Sequence, residues 1–221
     1  GAFKRVALPI LPVKVKAPGG SKSVTTYCLI DTGSTNSFIS QALLDELNIK
    51  GIKQKVSLTT LEKSNGCYDT NVSSIEVTDI YETKSLHLPA VMSRNKLTIN
   101  EDNIPRYEDI DQWPHLRGLD IPQVQCEEIG LLVGQDTPEA LMPLQIIAGN
   151  RGEPYAVRHV WGYTIQGPMS KCTTNNVNCQ FISKLEDESL LEKVESFWKI
   201  ESNGVYCDTK GLSVSDKRVL D

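Results

Sequence analysis

Tyr27-Cys28-Leu29-Ile30-Asp31-Thr32-Gly33-Ser34 carries four apolar or weakly polar residues into an aspartate, a small hydroxyl residue and a glycine. The run predicts a buried strand that ends at Asp31. A carboxylate at the end of such a strand is costly unless it is hydrogen-bonded or used. Thr32 and Gly33 permit a tight turn whose backbone amides point back at the carboxylate, and Ser34 is placed to donate to its outer oxygen. Asp and Gly are common in ordinary turns, so the three letters Asp-Thr-Gly alone read as a strand followed by a turn. The apolar strand before them and the serine after them move the reading toward chemistry. Two such carboxyl groups about 3 Å apart cannot both ionise, so they share one proton and hold a water between them.

Outward from this segment the chain has three zones. Residues 1–93 alternate β-rich runs with Gly, Ser, Thr and Asn turns. Residues 6–15 alternate loosely, and Pro9 and Pro12 predict an edge strand. Pro18-Gly19-Gly20-Ser21 then turns into a strand over 24–30, a hairpin. Ser40 offers an N-cap to a short helix with Leu43, Leu44 and Leu47 on one face. Strands over 56–61 and 72–80 flank a polar tip at 62–68, and 86–92 is another short strand. The second zone, 94–127, holds Pro105, Pro114, Pro122 and the acidic cluster Glu101, Asp102, Glu108, Asp109 and Asp111. It reads as a long, solvated surface insertion. Strand character returns at 129–134, Thr137 and Pro138 open a short helix, and 144–148 and 155–165 read as strands. The third zone, after Pro168, is a Thr/Asn linker and a helix over about 183–200. Its Leu190, Leu191, Val194, Phe197 and Trp198 form one apolar stripe.

Composition narrows the function classes. The 221 residues carry 23 Lys plus Arg against 28 Asp plus Glu, a net charge of −5. Gripping nucleic-acid phosphates needs a basic face, so no direct nucleic-acid partner is expected. No apolar run approaches the ~20 residues of a membrane span. The N-terminal residues show no hydrophobic stretch with a cleavage site, and the expectation is a soluble chain without an export signal. The 6 cysteines are spread too thinly for a disulfide scaffold, and Cys28 reads as a buried thiol. Cys172 and Cys179 are too far apart for a zinc knuckle and His87, His115 and His159 lie elsewhere, so no metal or cofactor is expected. Asn71-Val72-Ser73 reads as a chance glycosylation match, and Gly19-Gly20-Ser21-Lys22-Ser23 misses the spacing of a phosphate loop. Neither a Gly-x-Ser-x-Gly elbow nor a His-Glu-x-x-His helix occurs.

With Leu29 to Thr35 and Ser37-Phe38-Ile39-Ser40 in view, the chain resembles the active-site segment of retropepsin-type aspartic proteases. Leu131-Leu132-Val133-Gly134-Gln135-Asp136 is similar to their second signature, which makes Gly134 and Asp136 its structural residues. The stretches 152–158 and 161–168 resemble the end of the protease region in polyproteins of BEL/Pao-type retrotransposons. There a helical linker leads on to reverse transcriptase, and Phe197-Trp198 with 212–216 looks like its start. The resemblance implies an all-β acid-protease barrel with two short helices over 1–168, the insertion at 94–127, and a linker and helical tail over 169–221. It implies an aspartic endopeptidase with Asp31 catalytic, Thr32, Gly33 and Ser34 supporting the loop, and a substrate-binding flap at Glu62, Lys63, Ser64, Asn65, Gly66 and Cys67. That flap has one glycine, where retroviral flaps are usually glycine-rich. Asp69-Thr70-Asn71, Asp136-Thr137-Pro138 and Asp208-Thr209-Lys210 all lack the glycine of a second motif. One motif per chain implies a homodimer with Asp31 of each copy on a twofold axis. The implied substrate is the polyprotein that contains the domain, and the implied location is cytoplasmic, within virus-like particles. The alternative from another class is a catalytically silent structural domain, or a domesticated binding module with the same fold.

Overall fold

The computed structural model describes residues 5–58, 66–97, 99–126 and 128–169, with backbone alone at 57–58 and 66–68. It is mostly β, built around a closed six-stranded barrel. The strands are β1 (Val6–Ala7), β2 (Ile10–Lys16), β3 (Ser23–Ile30), β4 (Phe38–Ser40), β5 (Ile52–Leu58), β6 (Gly66–Thr78), β7 (Ser85–Arg94) and β8 (Ile129–Val133). The larger sheet runs β2-β3-β8-β4-β7-β6-β5, and pairing of Lys14–Lys16 with Glu76–Thr78 closes β2 onto β6. Only β5 stays outside the ring, paired to β6 alone among the described residues.

Strand alternation fills the barrel. Leu11, Val13 and Val15 of β2 face inward with Cys28 and Ile30 of β3, Ile75 and Val77 of β6, and Leu131 and Val133 of β8. Each such side chain contributes about 1.5–3 kcal/mol by leaving water. Helix α1 (Gln41–Glu46) packs Leu43, Leu44 and Leu47 onto this core, and the Ser40 hydroxyl accepts from the Leu43 amide at 3.3 Å.

A second layer surrounds a separate core. The sheet β1-β11-β10-β9 joins β9 (Gln145–Ile147), β10 (Tyr155–His159) and β11 (Gly162–Pro168) to the N-terminal β1. Against it lie Ile110, Trp113, Leu116 and Ile121, all from the segment expected to be solvated. That expectation fails for the apolar positions. Glu101, Asp102, Glu108 and Asp111 do face solvent, as does Tyr107, but helix α2 (Tyr107–Asp111) and a 3-10 turn at Pro114–Leu116 bury Ile110 and Leu116, with Trp113 between them. Arg5 fastens the layer, donating to the Asp102 and Ile104 carbonyls and pairing with Asp109. Two short helices were expected. The described residues hold three, the third being α3 (Pro138–Leu141), because the insertion supplies α2.

Two expected single strands are each broken in two. Residues 6–15 split at Leu8-Pro9 into β1 and β2, which belong to different sheets. Nor is β2 a simple edge strand. Its proline-bearing half pairs only with β3, whereas Lys14–Lys16 also pairs with β6. Residues 155–165 form a hairpin, with His159 opposite Gly162 across Val160-Trp161. Gly162 at φ +140 makes that turn possible. The helix expected over 183–200 and the rest of the tail after Met169 lie outside the described residues.

Leu116→Ala should cost about 2–5 kcal/mol, on a par with Leu131→Ala in the barrel. Equilibrium urea denaturation of both variants checks this, and a Leu116 loss below about 0.5 kcal/mol would restore the solvated loop. The turn after β6 carries a second test. Burial alone would raise the pKa of Asp79, yet the Thr83 hydroxyl and the Lys84 and Thr83 amides donate to its carboxylate and hold it below the usual value. A depressed folded-state pKa contributes stability that is present above the unfolded value, about 3.9, and lost as pH falls through the folded one. Asp79→Asn should therefore flatten the fall of stability below about pH 4, measured by denaturation across a pH series.

Candidate active site

Asp31 follows directly on β3, where its amide donates to the Val133 carbonyl of β8 at 2.9 Å. The side chain is half-buried. Its Oδ1 accepts from the Gly33 amide at 2.9 Å, as the turn reading requires. Among the described residues Oδ2 has no partner within the chain. Ser34 departs from expectation. Its hydroxyl donates to the Asn36 carbonyl at 2.7 Å instead of to Asp31, and its amide donates to the Asp31 main-chain carbonyl at 3.3 Å. The serine therefore shapes the loop and leaves the carboxylate oxygen open. Thr32 and Gly33 are exposed at the tip.

The loop is held from the other end of the sequence. Strand β8 lies between β3 and β4, parallel to the first and antiparallel to the second. Both ends of the Asp31 loop thus hang on one strand. Just past β8, the Gln135 amide donates to the Ser34 carbonyl at 2.9 Å and its side-chain amide donates to the Thr32 carbonyl at 3.0 Å. Asp136 accepts from the Ser37 amide at 2.8 Å and from the Ser37 hydroxyl at 2.6 Å. The same hydroxyl accepts from the Gly134 amide at 3.1 Å. Buried Ser37 is therefore satisfied twice, once by a charged acceptor, the stronger kind of bond. Gly134 is required by proximity: a Cβ there would stand 2.5 Å from the Asn36 carbonyl oxygen and 2.8 Å from that of Ser34.

The second signature is thus brought against the first, and Gly134 and Asp136 serve as its clamp. Both oxygens of Asp136 are engaged by Ser37, so it stands as a brace and not as a second free carboxylate beside Asp31. Sequence reasoning assigned no role to Ser37, Asn36 or Gln135. A lone serine before a strand has no distinguishing pattern until its partner 99 residues away is placed. The expected flap falls on the β5–β6 hairpin, whose last described pair is Leu58 with Gly66. Glu62, Lys63, Ser64 and Asn65 lie outside the described residues, and Gly66 and Cys67 open β6 opposite Leu58 and Ser57. Burial pushes the Cys28 thiol far up, so this cysteine is an inert core residue. No group of three His, Cys, Asp or Glu among the described residues could hold a metal ion. No described helix is long and apolar enough to cross a membrane.

A half-buried carboxylate with one oxygen fixed by an amide and the other open can orient a water and take its proton. Its usefulness depends on the loop staying put, which makes Gly134 the position to probe. Gly134→Ala should destabilise the fold by about 1–3 kcal/mol, because backbone must move to admit the methyl group. Urea denaturation checks it, and wild-type stability would show that the loop and β8 are not in contact. No protein-family model, curated protein or solved structure matches the chain, so its function has to be argued from these residues.

Proposed function

We propose that the chain is an aspartic endopeptidase of the retropepsin kind, active as a homodimer. The observation that carries this reading is the open Oδ2 of Asp31, held on a loop that Gly134, Gln135 and Asp136 brace through the main chain. An Asp-Thr-Gly in an idle turn would need no such bracing. Support comes also from the barrel, which puts this loop at the ends of β3 and β8 and sends the β5–β6 hairpin out as a projection.

One carboxylate cannot form a dyad, and Asp136 is occupied. The second Asp31 comes from a second copy. One carboxylate acts as general base toward water, while its protonated mate polarises the scissile carbonyl. Gly33 fixes the inner oxygen in each copy, and exposed Thr32 stands at the tip where the two loops meet. The substrate is a polypeptide in extended form, in the first place the polyprotein from which the domain is cut.

Asp31→Asn keeps shape and hydrogen bonding and removes the ionisable group. It should abolish peptide cleavage, to below about 1% of wild type, while the denaturation midpoint stays close to the parent's. An excess of Asp31→Asn chains mixed into wild type should poison activity by forming mixed dimers. The kcat/KM profile should be bell-shaped with an acidic optimum whose limbs belong to the pair. Cleavage that survives the substitution, or a rate that climbs steadily to alkaline pH, would leave Asp31 without the catalytic role.

A further inference from the structure

A cavity of about 310 Å³ lies outside the Asp31 site, and none of the residues that position Asp31 lines it. Its walls come from three parts of the chain: the turn between β6 and β7, the end of the insertion at Asp120 and Pro122, and the β10–β11 hairpin. Leu11 and Pro12 of β2 add an apolar side. Small-molecule sites span roughly 300–1,000 Å³, so this one suits a ligand of one ring with a short substituent.

The β6–β7 turn is fixed by its own hydrogen bonds. The Asp79 carboxylate accepts from the Thr83 amide and hydroxyl, both at 2.6 Å, and from the Lys84 amide at 3.0 Å. The turn carries Tyr81, whose hydroxyl donates to Asp120 at 3.0 Å and so joins two of the walls, while the residue stays 60% exposed. On the hairpin, Arg158 and Tyr163 are cross-strand neighbours, and the Tyr163 hydroxyl is spent on the Gln145 side chain at 2.9 Å. With both hydroxyls engaged, the two tyrosines have ring surface left to offer. The charges divide in the same way. Asp79, Lys84, Asp120 and Arg158 all line the cavity. Both oxygens of Asp79 and one of Asp120 are engaged. The exposed side chains of Lys84 and Arg158 make no hydrogen bond or ion pair among the described residues. The unspent charge is positive.

We infer that this cavity binds an aromatic carboxylate, with its ring against Tyr81 and Tyr163 and its carboxylate on Arg158. A guanidinium can take a carboxylate through two parallel N–H bonds, a geometry that the Lys84 ammonium lacks. Arg158 therefore holds the anionic head, and Lys84 adds charge beside it. A basic ligand would meet both cations, and a neutral ring would leave the guanidinium without an acceptor as it displaced water. The same chemistry occurs in a free aromatic acid and in the C-terminal aromatic residue of a peptide. The inference stands apart from the reading of Asp31.

Titration of the full chain with phenylacetate, N-acetylphenylalanine and N-acetylphenylalanine amide, followed by two-dimensional NMR, tests this. Both acids should move the main-chain amide signals of 81–84 and 158–163 along saturable curves. The amide has the ring without the charge and should bind at least about tenfold more weakly, the worth of a charged hydrogen bond. Arg158→Gln, at an exposed position, should weaken both acids by the same factor and leave the amide's binding unchanged, which a misfolded variant would not do. Tyr81→Ala should weaken acids and amide alike. Tighter binding of N-acetylphenylalanine than of phenylacetate would support the site with a peptide end as its ligand, and the reverse order would support it with a free acid. Equal binding of acid and amide, acids that bind Arg158→Gln as tightly as wild type, or no saturable shift at those signals would each overturn the inference.

Discussion

The position of the Asp31 loop depends on β8 and the turn after it, where Asp136 meets Ser37 from 99 residues farther along the chain. Strand β8 enters between β3 and β4 and turns two strands that are consecutive in sequence into its neighbours on either side. The Asp31 amide is spent on the Val133 carbonyl, and the far end of the loop is spent on Asp136 through Ser37. A loop fixed only by its own turn would keep the carboxylate within hydrogen-bonding distance of Gly33 but leave its direction to fluctuate. Tethering the loop at both ends to a barrel strand removes that freedom. The cost is close approach of main chain to main chain, and only a glycine at 134 allows it. The site is thus non-local in origin, and it requires β8 in place between β3 and β4.

The second layer gives the insertion a structural reason. Strands β1, β9, β10 and β11 make a sheet whose inner face needs a cover, and the barrel does not provide one. Ile110, Trp113, Leu116 and Ile121 provide it, and Arg5 ties the cover to the chain's first described residues. The insertion also reaches toward the β9–β10 connection, where His115 is within 2.8 Å of the Pro154 carbonyl. Acidic composition hid this arrangement. Short helices with four or five apolar residues among many charged ones look like loop when read by composition, since a one-turn helix offers too few positions for periodicity to show.

What the sequence disclosed was whatever is set locally. The strand into Asp31, the Asp31–Gly33 turn, the Ser40 cap and the β8 run all follow from short-range patterns and stand in the structure close to where they were read. What it concealed depends on distant partners. The break at Leu8-Pro9 is invisible because apolar residues flank it on both sides and each half serves a different sheet. The Val160-Trp161 turn is concealed by residues that rarely make turns, and only Gly162 after them betrays it. The Ser34 hydroxyl was read toward Asp31 because the two are neighbours in sequence. The structure sends it to Asn36, and with Gly134 pressed against the same two carbonyls the loop has little room for another arrangement.

The two ends of the barrel also divide the work of the proposed enzyme. On one side the β5–β6 hairpin is anchored by its own ladder and by β7 and β2 farther down β6, pairings that do not include the Asp31 loop. On the other side β8, which holds the loop, leads through Gln135 and α3 into β9. Rigidity of the loop matters to the proposed dyad because two carboxyl groups share a proton only when they are held close together.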